Sequence, residues 1–356
     1  MSTRVTRKRA RPDAGPDEGQ PEKTITDVAV DDAASIALAL SRDTEFWFDD
    51  GTIILDSGDV EFRVYRGHLA SHSPVLKEMF AKPHGSRSVP AGDGSESVIC
   101  PYIRLSDSPQ ELRHVLRVFM AGSGKSGYVN CDCTIHMISA YIRLGQKYQM
   151  TSLYEEALQF LRNFFSDDFN VWDSSYDWVS SGWEDIHAIG VVNLARLTGA
   201  SSILPTALLV CVAAPDINVV HGFPRGDGSQ ENLTLDDLGL CYCAISTLRE
   251  GSVAAIMNTF SAVPPSPDCK SSNICKARLA SALQGLRPLD LIRDNPFISY
   301  DEIKSDKDLG LCRRCLKMIA EKNDKERRSV WNRLPELLGI KIPGWGEAAQ
   351  RPVPSE

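Results

Sequence analysis

Two pairs of cysteines carry the one spacing in this 356-residue chain that reads as a chemical constellation. Cys269 and Cys275 follow a proline-rich break at 263–267. Cys312-Arg313-Arg314-Cys315 is a C-x-x-C pair at the head of the last long helical pattern. Thiolates are soft ligands and zinc takes four donors in a tetrahedron, so Cys269, Cys275, Cys312 and Cys315 could close a structural zinc site. The competing reading is packing. Cys312, Cys315, Leu316 and Ile319 fall at i, i+3, i+4 and i+7, a helix face that thiols can fill as apolar groups. The spacing of the first pair is unusual for a zinc module. A redox C-x-x-C needs a thioredoxin-like strand-to-helix context, which the pattern lacks. Cys131/Cys133 and Cys241/Cys243 are i, i+2 pairs; on the helix expected around 241 such a pair would diverge to different faces, and neither pair is assigned a role.

No catalytic constellation emerges from the remaining residues. His68 and His72 are i, i+4, as zinc-protease histidines are, but Leu69 stands where the general-base Glu must be, and packing is expected instead. His84, His114, His136, His187 and His221 are scattered, with no nucleophile paired to them. There is no G-x-S-x-G elbow. Gly122-Ser123-Gly124-Lys125-Ser126-Gly127 satisfies G-x-G-x-x-G, yet it follows a helical pattern rather than a strand, and the Walker spacing requires Gly where Phe119 stands. A flexible inter-helix loop is expected there. Trp172, Tyr176, Trp178 and Trp183 could form a base-stacking platform, but Asp167, Asp168, Asp173 and Asp177 give the stretch the wrong sign for a nucleic-acid groove. The expectation is a linker, 166–184, whose aromatics dock onto the following domain. The chain is read as non-enzymatic.

Composition bounds the elements that must position these residues. Apolar residues make up 42% and charged residues 24%, as in soluble globular proteins. The net charge of −8 disfavours nucleic acid as a partner of the body. No apolar run approaches the ~20 residues of a membrane span. No apolar signal core follows the charged N-terminus, so the ten cysteines are expected as thiols or metal ligands rather than disulfides. Residues 1–30 read as a disordered basic tail. In it Arg4, Arg7, Lys8, Arg9 and Arg11 have the pattern of a nuclear import signal or of a solvated tail. A short helix is expected over 31–40.

From Phe46 the order is strand, turn, strand. Asp56-Ser57-Gly58-Asp59 predicts a hairpin, with Val60, Phe62 and Val64 on a buried face and Glu61 and Arg63 on the other. Ser73-Pro74 is a cap followed by a first-turn proline, so a helix should start there and carry Leu76, Met79 and Phe80. Residues 81–97 read as a loop and 98–105 as a strand. Ser108-Pro109-Gln110-Glu111 and Ser152-Leu153-Tyr154-Glu155 predict capping boxes, and 134–148 is a helical pattern. Beyond Asp185 the signals are helical. An all-round apolar helix is expected over 203–214, a loop over 221–232, one helix capped by Thr234, and another carrying Val253, Ile256, Met257 and Phe260. A further helix is marked by Leu279, Leu283 and Leu286, and a last one runs from about 308 to 334. No internal repeat is present.

The stretch 46–80 resembles the opening of the BTB/POZ domain. Asp50 stands at its acidic position, and Phe62, Leu69, Ala70, Ser73, Met79 and Phe80 fall on its pattern, while Tyr65 replaces the usual His. The wording FRVYRGHLASHS is similar to that of the BTB proteins numerous in mushroom-forming fungi, in which paired cysteines commonly occupy both positions noted above. The resemblance implies an α+β, BTB/POZ-like domain over 46–165, short strands with surrounding helices, followed by an all-helical domain over 185–345 and a tail, 346–356. It implies a protein-protein interaction module whose BTB-like part self-associates as a homodimer or binds a protein partner. One alternative is a substrate adaptor that binds a cullin-type ubiquitin ligase. Against it, the hydrophobic-x-Glu step that many such adaptors carry after the helix ending at Phe80 is missing. Another is a nuclear regulator with a structural zinc site. The expected location is nucleus or cytoplasm, with no membrane partner.

Overall fold

Gly58, at φ 62°, closes the hairpin that the Asp-Ser-Gly-Asp turn predicts. In a computed structural model of the chain, β2 (Ile53–Ser57) and β3 (Val60–Val64) pair antiparallel with Ile53 opposite Val64 and Ser57 opposite Val60. The described residues are 41–90, 97–120, 129–130, 132–175, 179–214, 218–261, 263–282, 284, 291–299 and 309–345. The basic N-terminal cluster, the helix expected over 31–40, the glycine-rich run at 122–127, Tyr176, Trp178, Cys131 and the C-terminal tail lie outside them. The described residues are a mixture of many helices and a small sheet, an α+β fold.

The five-stranded sheet has the order β1-β3-β2-β5-β4, with β1 (Ser41–Trp47) parallel to β3 and β5 (Ser97–Leu105) parallel to β2. Strand β4 (Ser86–Pro90) lies in the stretch expected as loop and pairs antiparallel with β5 at the sheet edge. Its Pro90 terminates the pairing, as edge prolines do. The alternation expected for β3 is corrected in one respect. Glu61 and Arg63 are buried like their neighbours, because Ile54, Val89 and Cys100, with Trp47 and Tyr102 against them, build a second small core on that face. Arg63 is tolerated there because its Nε donates to the Gly51 carbonyl at 3.1 Å, and Glu61 pairs with Arg87.

Helices α1 (Arg66–His72) and α2 (Pro74–Ala81) follow the hairpin, and Ser73 caps α2 by accepting from Leu76 N–H at 3.0 Å. His68 Nε2 meets the Phe119 carbonyl and His72 stacks on the Phe119 ring at 4.6 Å, the packing role expected of this pair. The capping box expected at Ser108 does not form. The Ser108 hydroxyl is without a hydrogen-bond partner, and the Glu111 carboxylate, which the box would turn back to the Ser108 N–H, pairs with Arg225 instead. Helix α3 (Pro109–Met120) nonetheless buries Leu112, Val115, Leu116 and Phe119 as its spacing predicts. Helix α4 (Ile135–Lys147) is capped by Thr134, while α5 (Thr151–Phe164) starts one residue ahead of the expected Ser152 cap and has no side-chain cap.

The linker carries a short helix, α6 (Phe169–Ser174), and its aromatics dock on both sides. Trp183 Nε1 donates to the Cys133 carbonyl at 2.8 Å, whereas Phe169 and Trp172 lie 5.5 and 5.9 Å from the Trp331 ring. Helices α7 (Ala188–Thr198) and α8 (Leu204–Ala213) follow, and α8 is buried almost all round. The stretch 221–232 holds a two-stranded ribbon, β6 (Phe223–Pro224) and β7 (Gln230–Glu231), rather than a plain loop. Where two helices were expected there is one, α9 (Leu235–Phe260). Gly251 does not break it, because its missing side chain leaves room for the last helix. A Cβ there would stand 3.3 Å from Val330 Cγ1. After α10 (Ser272–Ser281) come α11 (Arg313–Asn332), shorter than the pattern at both ends, and α12 (Leu334–Leu337).

One hydrophobic core is continuous from Phe46 on β1 through Tyr141, Trp183 and Leu208 to Trp331 and Leu338. A third, small core is separate from both. It joins Ile256 and Phe260 of α9 to Cys275 and Leu279 of α10 and to Leu311, Cys315 and Ile319.

Candidate metal centre

The proline-rich stretch after α9 and the turn before α11 bring the two cysteine pairs together. Ser266 accepts from Cys269 N–H at 2.8 Å, a tight turn that aims Cys269 inward. Gly310, at φ 59°, makes the corresponding turn ahead of Cys312, and a side chain there would collide with the Arg278 guanidinium. Cys312 is the N-cap of α11, Cys315 lies in its first turn, and Cys275 lies in the first turn of α10. The four Sγ atoms of Cys269, Cys275, Cys312 and Cys315 all lie within 4.8 Å of one another. Cys269 Sγ and Cys312 Sγ are 3.6 Å apart. Four sulfurs at ~2.3 Å from a tetrahedral ion stand ~3.8 Å from each other, so this spacing fits one metal ion.

Backbone donors and burial pull the thiols of Cys269, Cys312 and Cys315 in opposite directions. The Cys312 N–H points at Cys275 Sγ at 3.5 Å, and the Ser266 N–H points at Cys315 Sγ at 3.3 Å. The Ser271 and Cys315 N–H groups serve Cys269 and Cys312 in the same way. Each sulfur therefore has one backbone donor, an arrangement that packing alone does not require and that stabilises thiolate. The Cys315 N–H leads in drawing the Cys312 thiol down to about 7, whereas burial pushes Cys315 up to about 12 and raises Cys269. Without a cation, a site built around fully buried Cys315 resists full ionisation. A divalent ion would supply the missing charge. Four thiolates and one such ion carry −2, which Lys270, Lys276, Arg313 and Arg314, each adjacent in sequence to one of the four cysteines, offset. The helix-face reading of Cys312, Cys315, Leu316 and Ile319 holds only in part: Cys315 and Ile319 are buried, Cys312 is half-buried and Leu316 is exposed. The other pairs stay apart in role. Cys241 is buried and Cys243 exposed, on different faces of α9.

A second polar cluster was not legible in the sequence. Arg225 of the β6–β7 ribbon pairs with Glu111 of α3 and with Glu231, which also takes Arg143 of α4 at 3.3 Å and accepts from Asn193 Nδ2 at 2.5 Å. His114, His136 and His187, scattered in sequence, converge around it. His136 and His187 both lie against the Phe223 ring. Burial lowers all three, His114 to about 4, and raises Glu111. The signal that could have found this cluster, Arg225, Asp227 and Glu231 within one short stretch, is too common on surfaces to single out.

No protein-family model, curated protein or solved structure matches this chain. Among the described residues no helix is long and apolar enough to cross a membrane.

Proposed function

We propose that the chain is a non-enzymatic protein-interaction module of BTB/POZ type that self-associates. The observation that carries an interaction role is an open apolar groove of about 550 Å³ between the end of α8 and the first half of α9. Leu235 (86% exposed), Tyr242 (79%) and Val220 (64%) border it, with Leu238 and Ile245 in the same helical stripe. Large apolar side chains clustered in the open mark contact surfaces. Gly239 in the middle of the stripe has open space where a side chain would be, so a facing helix can approach closely. A second copy presents the same stripe, and a two-fold pairing about Gly239 sets Leu235 of one protomer near Tyr242 of its partner. The BTB/POZ assignment rests on the residue pattern of 46–80; the hairpin β2–β3, the pair α1–α2 and the returning parallel strand β5 support it. The test is the mass in solution of the full chain, by light scattering across a concentration series. Wild type is expected as a dimer, and Leu235→Glu with Tyr242→Glu as a monomer of unchanged helicity. Equal masses for both would refute this interface.

The metal of the cysteine centre is zinc, in a structural role. What supports this is the closed set of four sulfurs, which matches the ligand number and softness that zinc prefers and leaves no position open for substrate. Elemental analysis of protein purified without added metal tests it, with one zinc per chain expected and iron or a blank as the refuting results.

A further inference from the structure

We propose that Cys269 and Cys312 are an oxidisable pair of the metal centre. A peroxide joins them as a disulfide, the ion leaves, and α10 comes loose from α11. The inference rests on the zinc reading above. Their Sγ atoms are already 3.6 Å apart, so bond formation needs a closure of only about 1.6 Å, to the usual ~2.05 Å. Both are half-buried, whereas Cys275 and Cys315 are buried, so a small oxidant in solvent reaches the first pair and not the second. The pair also spans the two halves of the centre, one cysteine from each.

The chemistry closes without a further reactant. One thiolate attacks hydrogen peroxide, and with one proton gives a sulfenic acid and water. The second thiolate displaces the sulfenic oxygen, which leaves with another proton as water. In total, two thiolates, one peroxide and two protons become one disulfide and two waters; the sulfurs lose two electrons and the peroxide gains them. The ion is left with Cys275 and Cys315 alone, half the ligands of a closed tetrahedral site, and its affinity collapses.

The consequence is local, because the two ends of α11 belong to different cores. Val330 and Trp331 at its C-terminal end are part of the main core, while Cys315 and Ile319 at its start belong to the small one. Two of the buried residues of that small core, Cys275 and Cys315, are themselves ligands. Loss of the ion therefore exposes Ile256, Phe260, Leu279 and Ile319 while the rest of the chain stays folded.

The experiment uses the full chain carrying Cys243→Ser, which removes an exposed thiol outside the centre. Zinc content is measured first. Hydrogen peroxide is then added stepwise, released zinc is followed with a chromogenic chelator, and free thiols are alkylated before non-reducing peptide mapping. The expected result is one zinc released per disulfide and a cross-linked peptide pair containing Cys269 and Cys312, with Cys275 and Cys315 alkylated after denaturation. Amide exchange over 272–281 should rise at least tenfold, and thiol reductant with zinc should reverse all three changes. A protein that is metal-free as purified overturns the zinc reading and this inference with it. A zinc-loaded protein that links Cys269 to Cys275 or Cys312 to Cys315, stops at sulfinic acid, or oxidises while keeping its zinc overturns the inference alone. Mapping is done on the native four-cysteine site, so the outcome does not depend on the folding of a ligand variant.

Discussion

A strong chelator is the sharpest perturbation to apply to this protein, because zinc binding and thiol packing predict effects of different size. Four sulfurs within 4.8 Å hold α10 and the start of α11 together around a small core that is separate from the main one. A ligand at a thousandfold its Kd stabilises the bound state by about 4.1 kcal/mol, and structural zinc in small fingers reaches roughly 10–16 kcal/mol. Even the lower figure corresponds to about 16 °C or more in the melting of a unit of 60–100 residues. If the thiols only pack, Cys315→Ser buries a hydroxyl where an apolar thiol was and costs about 1–3 kcal/mol, and chelator changes nothing. The assay is thermal unfolding by circular dichroism, with and without a strong chelator, of wild type and Cys315→Ser. Wild type should show an early transition that chelator moves down by at least that margin and a later one that it leaves in place. The variant should already lack the difference. Chelator-independent melting of wild type, together with all four thiols titrating freely on unfolding, would refute the metal reading.

Two further outcomes follow from the rest of the fold. Trp331→Ala should destabilise the chain by about 3–5 kcal/mol in urea unfolding, because the ring is buried against Phe169, Trp172, Phe297 and Trp345 and its Nε1 donates to the Asp167 carbonyl; a loss below 1 kcal/mol would show that this aromatic cluster does not join the linker to α11. The second outcome concerns pH. Burial holds His114 near 4 in the folded chain against an ordinary value of 6.5, and lowers His136 and His187 in the same direction, so the unfolded state binds the extra protons. Their contribution is fully present above about pH 6.5 and is lost as pH falls toward about 4, with Glu111, raised by burial, acting in the opposite sense. The urea midpoint should fall across that window, and His114→Leu should flatten the fall; an unchanged slope would remove His114 from the account.

Local chemistry along the chain was enough for much of this structure. The Gly58 turn, the Ser73-Pro74 helix start, the buried faces of α3 and α4 and the apolar character of α8 each depend on neighbours within a few residues, where spacing and side-chain type decide the outcome. The four cysteines were legible as a set of donors for the same reason, since C-x-x-C is a local signal. Whether they meet was not, because Cys275 and Cys312 are brought together only by the approach of α10 to α11. Only the tertiary structure decided that Glu111 abandons its cap for Arg225, that Arg63 is buried with Gly51 as its acceptor, and that Gly251 continues a helix instead of ending one. In each case a residue with a strong local preference gains more from a distant partner than from its neighbours. That gain exists only once the chain has closed on itself, which no window along the sequence contains.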